Sequence, residues 1–347
     1  MSDTLVHSRR RLLSVAAGTL AAASFGIAAP AAAEPKPAPA KAGEGAAFGP
    51  LDHIAAGPLN VAYVDAGPKA SPVVILLHGW PYDIHAFAEV VPILVGNGYR
   101  VVVPYLRGYG DTRFLSSDTI RNGQQAALAV DIIDLMDALK IERAHLAGFD
   151  WGARTADIIA ALWPQRCLSL VSVSGYLIGS QAANETPLPP KAELQWWYQY
   201  YFATERGRAG YDKYRAEFAR LIWQLASPHW AFDDATFARS AAAFDNPDHV
   251  AISIHNYRRL GLAEGEAKYD ELERKLATFP AIAVPTITLE GDANGAPDPP
   301  PASYAKRFTV KYAHRLITGG IGHNLPQEAP QAFAAAIIDV AGGGAVR

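Results

Sequence analysis

Apolar residues run along this chain in two rhythms. Val73–Leu77 is an unbroken run, Val-Val-Ile-Leu-Leu. Such a run suits a strand buried on both faces, as in a parallel sheet covered by helices. Residues 100–103, 144–147, 168–173, 285–289 and 315–318 read the same way. Between them the period lengthens. Over residues 126–139, Leu128, Ile132, Leu135 and Leu139 recur on one helical face, and residues 153–162 form a second helix. Strands alternating with helices predict an α/β chain with a mostly parallel central sheet flanked by helices. The alternation stops between residues 180 and 278, which are aromatic-rich, helical in pattern and without a strong strand run. This stretch reads as a helical insert.

The N-terminus departs from both rhythms. Ser8-Arg9-Arg10-Arg11 precedes residues 12–33, which carry no charge and end in Ala31-Ala32-Ala33. A basic block, an apolar stretch and a small-residue cleavage pattern make an export signal, and the paired arginines resemble a twin-arginine signal. Residues 1–33 are therefore read as that signal, engaging twin-arginine export machinery and sending the protein to the periplasm or beyond. Residues 34–48, rich in Pro, Ala and Lys at their start, read as a linker. Two core segments, 49–179 and 279–347, then flank an insert at 180–278.

Composition narrows the classes. The 347 residues are 50% hydrophobic and 19% charged, which fits a packed globular protein rather than a disordered one. The formal charge is −3, and −5 once residues 1–33, with three arginines and Asp3, are set aside. That balance argues against a nucleic-acid surface. Cys167 is the single cysteine, so neither a disulfide framework within the chain nor a cysteine zinc cluster is expected. No phosphate loop, nucleotide fingerprint or metal cluster is seen, and no cofactor is expected. Asp131, Asp134 and Asp137, at helical spacing, read as a solvated face.

Three short motifs carry chemistry. Gly148-Phe149-Asp150-Trp151-Gly152 leads from a strand into a helix. Small residues around a central Asp make a nucleophile elbow, which pushes Asp150 into a pocket and leaves the Trp151 N–H free for an oxyanion. A plain helix-capping Asp would fit the same residues. His78-Gly79-Trp80-Pro81 follows a strand directly, placing the Trp80 N–H as a second oxyanion donor. Gly320-Ile321-Gly322-His323-Asn324-Leu325-Pro326 follows the last strand and supplies His323 as a general base.

Together, and in this order, the three motifs make residues 49–341 resemble an α/β-hydrolase of the group of epoxide hydrolases and haloalkane or haloacetate dehalogenases. The resemblance implies an α/β-hydrolase fold with a helical cap over the site, an Asp150 nucleophile and a small-molecule substrate, an epoxide or an organohalide. Tyr198-Gln199-x-Tyr201-Phe202 resembles the first tyrosine segment of epoxide hydrolases and His255-Asn256-Tyr257 the second. That implies Tyr198 and Tyr257 as proton donors to an opening epoxide, with Gln199 and Phe202 near substrate. The aromatic run also fits cap packing through i,i+4 pairs. Haloacetate dehalogenases also place a Tyr at the position of Tyr257. They resemble the chain at Arg154, where substrate carboxylate is held, but carry Arg where Trp151 stands here. Arg154 could equally pair with Asp157. Relatives often have Asp at the position of Tyr105. The family's acid position holds Asn294. Asp292 is taken as the acid of the triad, with Asp298 and Asn294 as alternatives. The leading expectation is an epoxide hydrolase, followed by a dehalogenase, another α/β-hydrolase, or a non-catalytic ligand-binding protein on this fold.

Overall fold

The computed structural model describes residues 48–257, 265–297 and 299–343. The proposed signal, and the linker up to residue 47, lie outside them. The chain enters through an antiparallel pair, β1 (Asp52–Ala56) and β2 (Leu59–Ala66), turning at Gly57 with φ +52°. Leu59, Val61 and Tyr63 are buried on one face of β2, but the intervening Asn60 and Val64 are only partly covered, so the strand does not read as an unbroken apolar run. The core then proceeds through β3 (Val73–Leu77), α1 (Val90–Gly96), β4 (Arg100–Pro104), β5 (Arg113–Phe114), α2 (Gln125–Ala138), β6 (Ala144–Gly148), α3 (Trp151–Leu162) and β7 (Cys167–Val173).

The insert is helical: α4 (Gln181–Asn184), α5 (Pro190–Gln195), α6 (Trp197–Phe202), α7 (Glu205–Lys213), α8 (Arg215–Ala226), α9 (Asp234–Ala241), α10 (His249–Asn256) and α11 (Asp270–Leu276). The core resumes with β8 (Thr286–Gly291), α12 (Pro301–Tyr304), β9 (Tyr312–Ile317), α13 (Leu325–Glu328) and α14 (Pro330–Ala341). β9 starts three residues before the apolar run at 315–318. Its polar first half is held by pairing with β8 from Thr286↔Tyr312 to Gly291↔Ile317.

The sheet order is β1-β2-β4-β3-β6-β7-β8-β9, parallel from β4 onward, with β5 added on β2. Helices α2 and α3 pack together on the sheet, as do α1 and α14. Strands covered on both faces must be apolar throughout, and β3, β4 and β6 are almost wholly buried. The loops after β3, β6 and β9 open at one sheet end, where ligands bind in open α/β folds.

One expectation fails in α2. Asp131 does not face solvent. It is 5% exposed and clasps Arg107, 2% exposed, through two hydrogen bonds of 2.6 Å. Arg107 also donates to the Asn122 carbonyl at 2.5 Å. Asp137 does reach the surface, where it pairs with Arg166 at 2.7 Å. A buried cation from the loop after β4 required a carboxylate on this helix, and helical spacing alone does not reveal such a partner.

Candidate active site

Asp150 sits between β6 and α3 with φ +53° and ψ −127°. A non-glycine residue in the left-handed half of the map is strained and needs its surroundings to hold it. Here the close approach of α3 to β3 does so. A Cβ on Gly152 would overlap the Leu77 carbonyl, so only glycine lets the helix start there. The turn aims the carboxylate at the loop after β3. Asp150 Oδ1 accepts the Trp80 N–H at 2.7 Å, and Oδ2 lies 3.5 Å from His323 Nε2. The Trp151 N–H opens α3 and has no partner within the helix. Asp150, the two expected oxyanion donors and His323 thus come together.

The Trp80 turn is fixed by a neutral histidine. His78 is fully buried, and burial pushes its pKa down to about 4. Its Nδ1–H donates to the Gly79 carbonyl at 3.2 Å, and its Nε2 accepts the Leu106 N–H at 3.1 Å. Tyr105 turns its hydroxyl towards Asp83 at 3.5 Å. Asp83 itself is fully buried and accepts the Ser240 hydroxyl of α9 at 2.6 Å.

His323 is anchored from the cap. Its backbone N–H donates to the Ala226 carbonyl at 3.2 Å and to Ser227 Oγ at 3.0 Å, both at the end of α8. Glu328 completes this corner by accepting the Ser227 hydroxyl at 2.6 Å and the Gly322 N–H at 2.7 Å. Burial disfavours the charged imidazole. The hydrogen bond and charge of Asp150, with Glu290 and Glu328 beyond, more than offset that and raise the His323 pKa.

Asp292 is not the partner of His323. Its carboxylate is occupied by the N–H groups of Gly319, Gly320 and Ile321 at 3.0, 2.9 and 2.9 Å, and it folds the loop that leads to His323. Asn294 is also engaged elsewhere: its amide donates to Glu290 Oε1 at 2.8 Å and its carbonyl accepts the Ala296 N–H at 2.9 Å. Asp298 lies outside the described residues. His323 Nδ1 is buried and has no hydrogen-bond partner among the described residues. The carboxylate overlooked in the sequence is Glu290, 8% exposed at the end of β8, whose charge acts on His323. Its place immediately before Gly291 at a strand end was the available signal.

Asp150, Arg154, Tyr198, Gln199, Tyr257 and His323 line one cavity of about 780 Å³. The Tyr198 and Tyr257 rings meet edge-on, 5.2 Å apart at 84°, and lie 5.0 and 5.2 Å from the Trp80 ring. Burial, followed by the neighbouring Tyr198 and Asp150, pushes the Tyr257 pKa well above its usual value, so the phenol keeps its proton near neutral pH. Phe202 does not reach the cavity. It lies one helical turn beyond Tyr198 and packs behind Trp80, 4.9 Å from Tyr211 and 5.4 Å from Phe218. Arg154 forms no salt bridge among the described residues. It lies over the Trp151 ring at 4.6 Å, while Asp157 turns away and accepts the Leu177 N–H at 2.8 Å. Burial lowers the Arg154 pKa, with the Asp150 carboxylate opposing it.

Comparison with known proteins agrees with this fold. Residues 72–213 match the family described as "alpha/beta hydrolase fold". A crystal structure named "putative epoxide hydrolase", from Klebsiella pneumoniae, is 64% identical, covers 84% of this chain and 97% of its own, and superposes with a TM-score of 0.83. Epoxide hydrolase B of Mycobacterium tuberculosis is 32% identical over 160 residues, 42% of this chain and 44% of that protein. Fluoroacetate dehalogenase of a Burkholderia species is 40% identical over 102 residues, 29% of this chain and 33% of that protein. The matched stretches thus span less than half the length of these two sequence relatives. The fold, the grouping of Asp150, Trp80 and His323, and the near full-length likeness to the Klebsiella structure together make this chain a member of the α/β-hydrolase family, of the epoxide hydrolase-like kind.

Proposed function

We propose that this protein hydrolyses epoxides to vicinal diols through an ester on Asp150. The observation that carries the reading is one cavity presenting Asp150, with Oδ1 held by the Trp80 N–H, to the two cap tyrosines Tyr198 and Tyr257. A carboxylate oxygen of Asp150 attacks an epoxide carbon, and the C–O bond breaks as a tyrosine O–H protonates the alkoxide. The ester carbonyl then faces the Trp80 and Trp151 N–H groups. His323 takes a proton from water, and the hydroxide adds to the Asp150 carboxyl carbon. Collapse expels the second alkoxide, which receives the His323 proton. The remaining carboxyl proton restores the tyrosine.

Single turnover in ¹⁸O-labelled water tests this. Label is expected in the Asp150 carboxylate and, after a second turnover, in the diol. Label in the first diol without labelled enzyme would refute the covalent route.

Arg154 favours a second reading, dehalogenation of a carboxylate-bearing organohalide. A half-buried guanidinium with no carboxylate partner among the described residues, on the wall of the cavity, suits an anionic substrate. The cavity of about 780 Å³ is of the size that encloses drug-sized ligands, far larger than a haloacetate needs. Halide release without epoxide turnover would select this reading. Export completes the proposal. Arg9, Arg10 and the uncharged segment behind them support it, and replacing both arginines by lysine should retain the protein in the cytoplasm on cell fractionation.

A further inference from the structure

The Trp80 indole takes part in a hydrogen-bond chain that runs through the cap and returns to the core. Its Nε1–H donates to the Tyr211 hydroxyl of α7 at 2.7 Å. Tyr211 stands 2.8 Å from His249 Nε2 of α10, and His249 Nδ1 stands 2.9 Å from the Gly108 carbonyl in the loop after β4. An indole N–H can only donate and a carbonyl can only accept. Tyr211 therefore accepts from Trp80 and gives its own proton to His249, which carries its hydrogen on Nδ1. Every link has one direction. Tyr211 and His249 are fully buried, so no water competes for them. Trp223 of α8 adds a second cap clamp on the same turn, donating its indole N–H to the Pro81 carbonyl at 2.7 Å.

We propose that Tyr211 is a positioning residue for the oxyanion turn, holding Trp80 through this one-way chain so that the Trp80 N–H faces Asp150 and its ring backs Tyr198 and Tyr257. Trp80 is thus held at both ends, its ring N–H by Tyr211 and its backbone N–H by Asp150 Oδ1, while Trp223 holds the next carbonyl, so the clamps on the ring and on Pro81 restrain the backbone that carries the donor. The cap thereby sets the geometry of a core oxyanion donor through the Trp80 side chain and the Pro81 carbonyl.

The kinetic part of the inference rests on the epoxide reading, so its test has two arms. With an epoxide that the enzyme turns over, Tyr211→Phe and Trp80→Phe should each lower kcat about tenfold, the effect of one net hydrogen bond, with KM held within about twofold and the alkyl-enzyme accumulating. The double variant should be no slower than either single one, because both remove the same link. Tyr214→Phe, an exposed tyrosine outside the chain, should match the wild type. Additive losses, or a change in KM alone, would overturn the proposal.

The second arm needs no turnover. In ¹⁵N spectra, the indole resonance assigned by its absence in Trp80→Phe should shift in Tyr211→Phe, together with the Trp80 backbone amide. A backbone amide that stays in place would overturn the proposal. A wild type inert towards epoxides, with both resonances shifting, would refute the epoxide reading and leave the positioning role standing.

Discussion

Replacing Asp131 by Asn should destabilise the protein severely, although the residue touches no substrate. Asp131 and Arg107 are both buried and joined by two hydrogen bonds of 2.6 Å. Burial works against the Arg107 charge, and the Asp131 carboxylate more than offsets it. With charge centres about 4 Å apart, the Coulomb attraction at an effective dielectric of 20 is about 4 kcal/mol. Measured losses on breaking buried pairs run about 3–5 kcal/mol, because the remaining charge stays in the interior. The Asn variant keeps one acceptor, so the expected loss is about 3 kcal/mol. For a protein of this size that lowers Tm by on the order of 5–10 °C. Urea unfolding followed by circular dichroism reads it as a lower midpoint at constant slope. The double variant Arg107→Met/Asp131→Leu should recover most of the loss, since it leaves no unpaired charge. A loss below about 1 kcal/mol for Asp131→Asn would refute the reasoning.

Three further outcomes follow from the site. His323→Gln should still form the alkyl-enzyme but hydrolyse it about 10²–10⁴-fold more slowly, leaving an adduct of substrate mass on Asp150 in intact-protein mass spectrometry. Asp292→Asn should lower turnover less than about fivefold, where removing the carboxylate of a catalytic triad costs about 10⁴-fold; a loss of the larger size would restore Asp292 as the partner of His323. Burial raises the Asp157 pKa to about 8, so the folded protein holds a proton that the unfolded chain releases above about pH 4. Its contribution is complete below pH 4 and declines as pH rises towards 8. Asp157→Asn should therefore gain at least about 1 kcal/mol over the wild type between pH 5 and pH 8 in urea titrations, and an equal difference at both values would contradict this.

What was legible in the sequence was what is encoded within a single turn of chain. The elbow at Asp150 needs Gly148 and Gly152 beside it, and Trp80 needs its Gly79 neighbour, because backbone and side chain approach too closely for a Cβ. Those requirements leave a spacing that can be read. Asp131 illustrates the opposite case. Its partner comes from a loop 24 residues earlier, and no local pattern distinguishes a buried salt bridge from a wet helix face. The acid of the triad is harder still. Glu290, Asp292 and Asn294 lie within five residues, and only the folded loop shows that Asp292 is taken by three N–H groups and Asn294 by Glu290. Phe202 was placed by analogy along α6, whereas its direction follows from packing against Phe218 and Tyr211. The β1–β2 pair was missed because one of its faces is only partly covered.

The anchoring of His323 on the end of α8 has a consequence for how such proteins can be recombined. The Ala226 carbonyl accepts both the His323 N–H and, at 2.8 Å, the Gly295 N–H, and the Gly295 carbonyl in turn accepts the Gln195 side chain of α5 at 2.8 Å. The insert and the two core loops after β8 and β9 are therefore stitched as one inheritable block. A chimera that takes residues 180–278 from a relative, in order to change substrate preference, would bring in a foreign seat for its own His323. Exchanging the insert together with the loops around Gly295 and His323 keeps that seat intact.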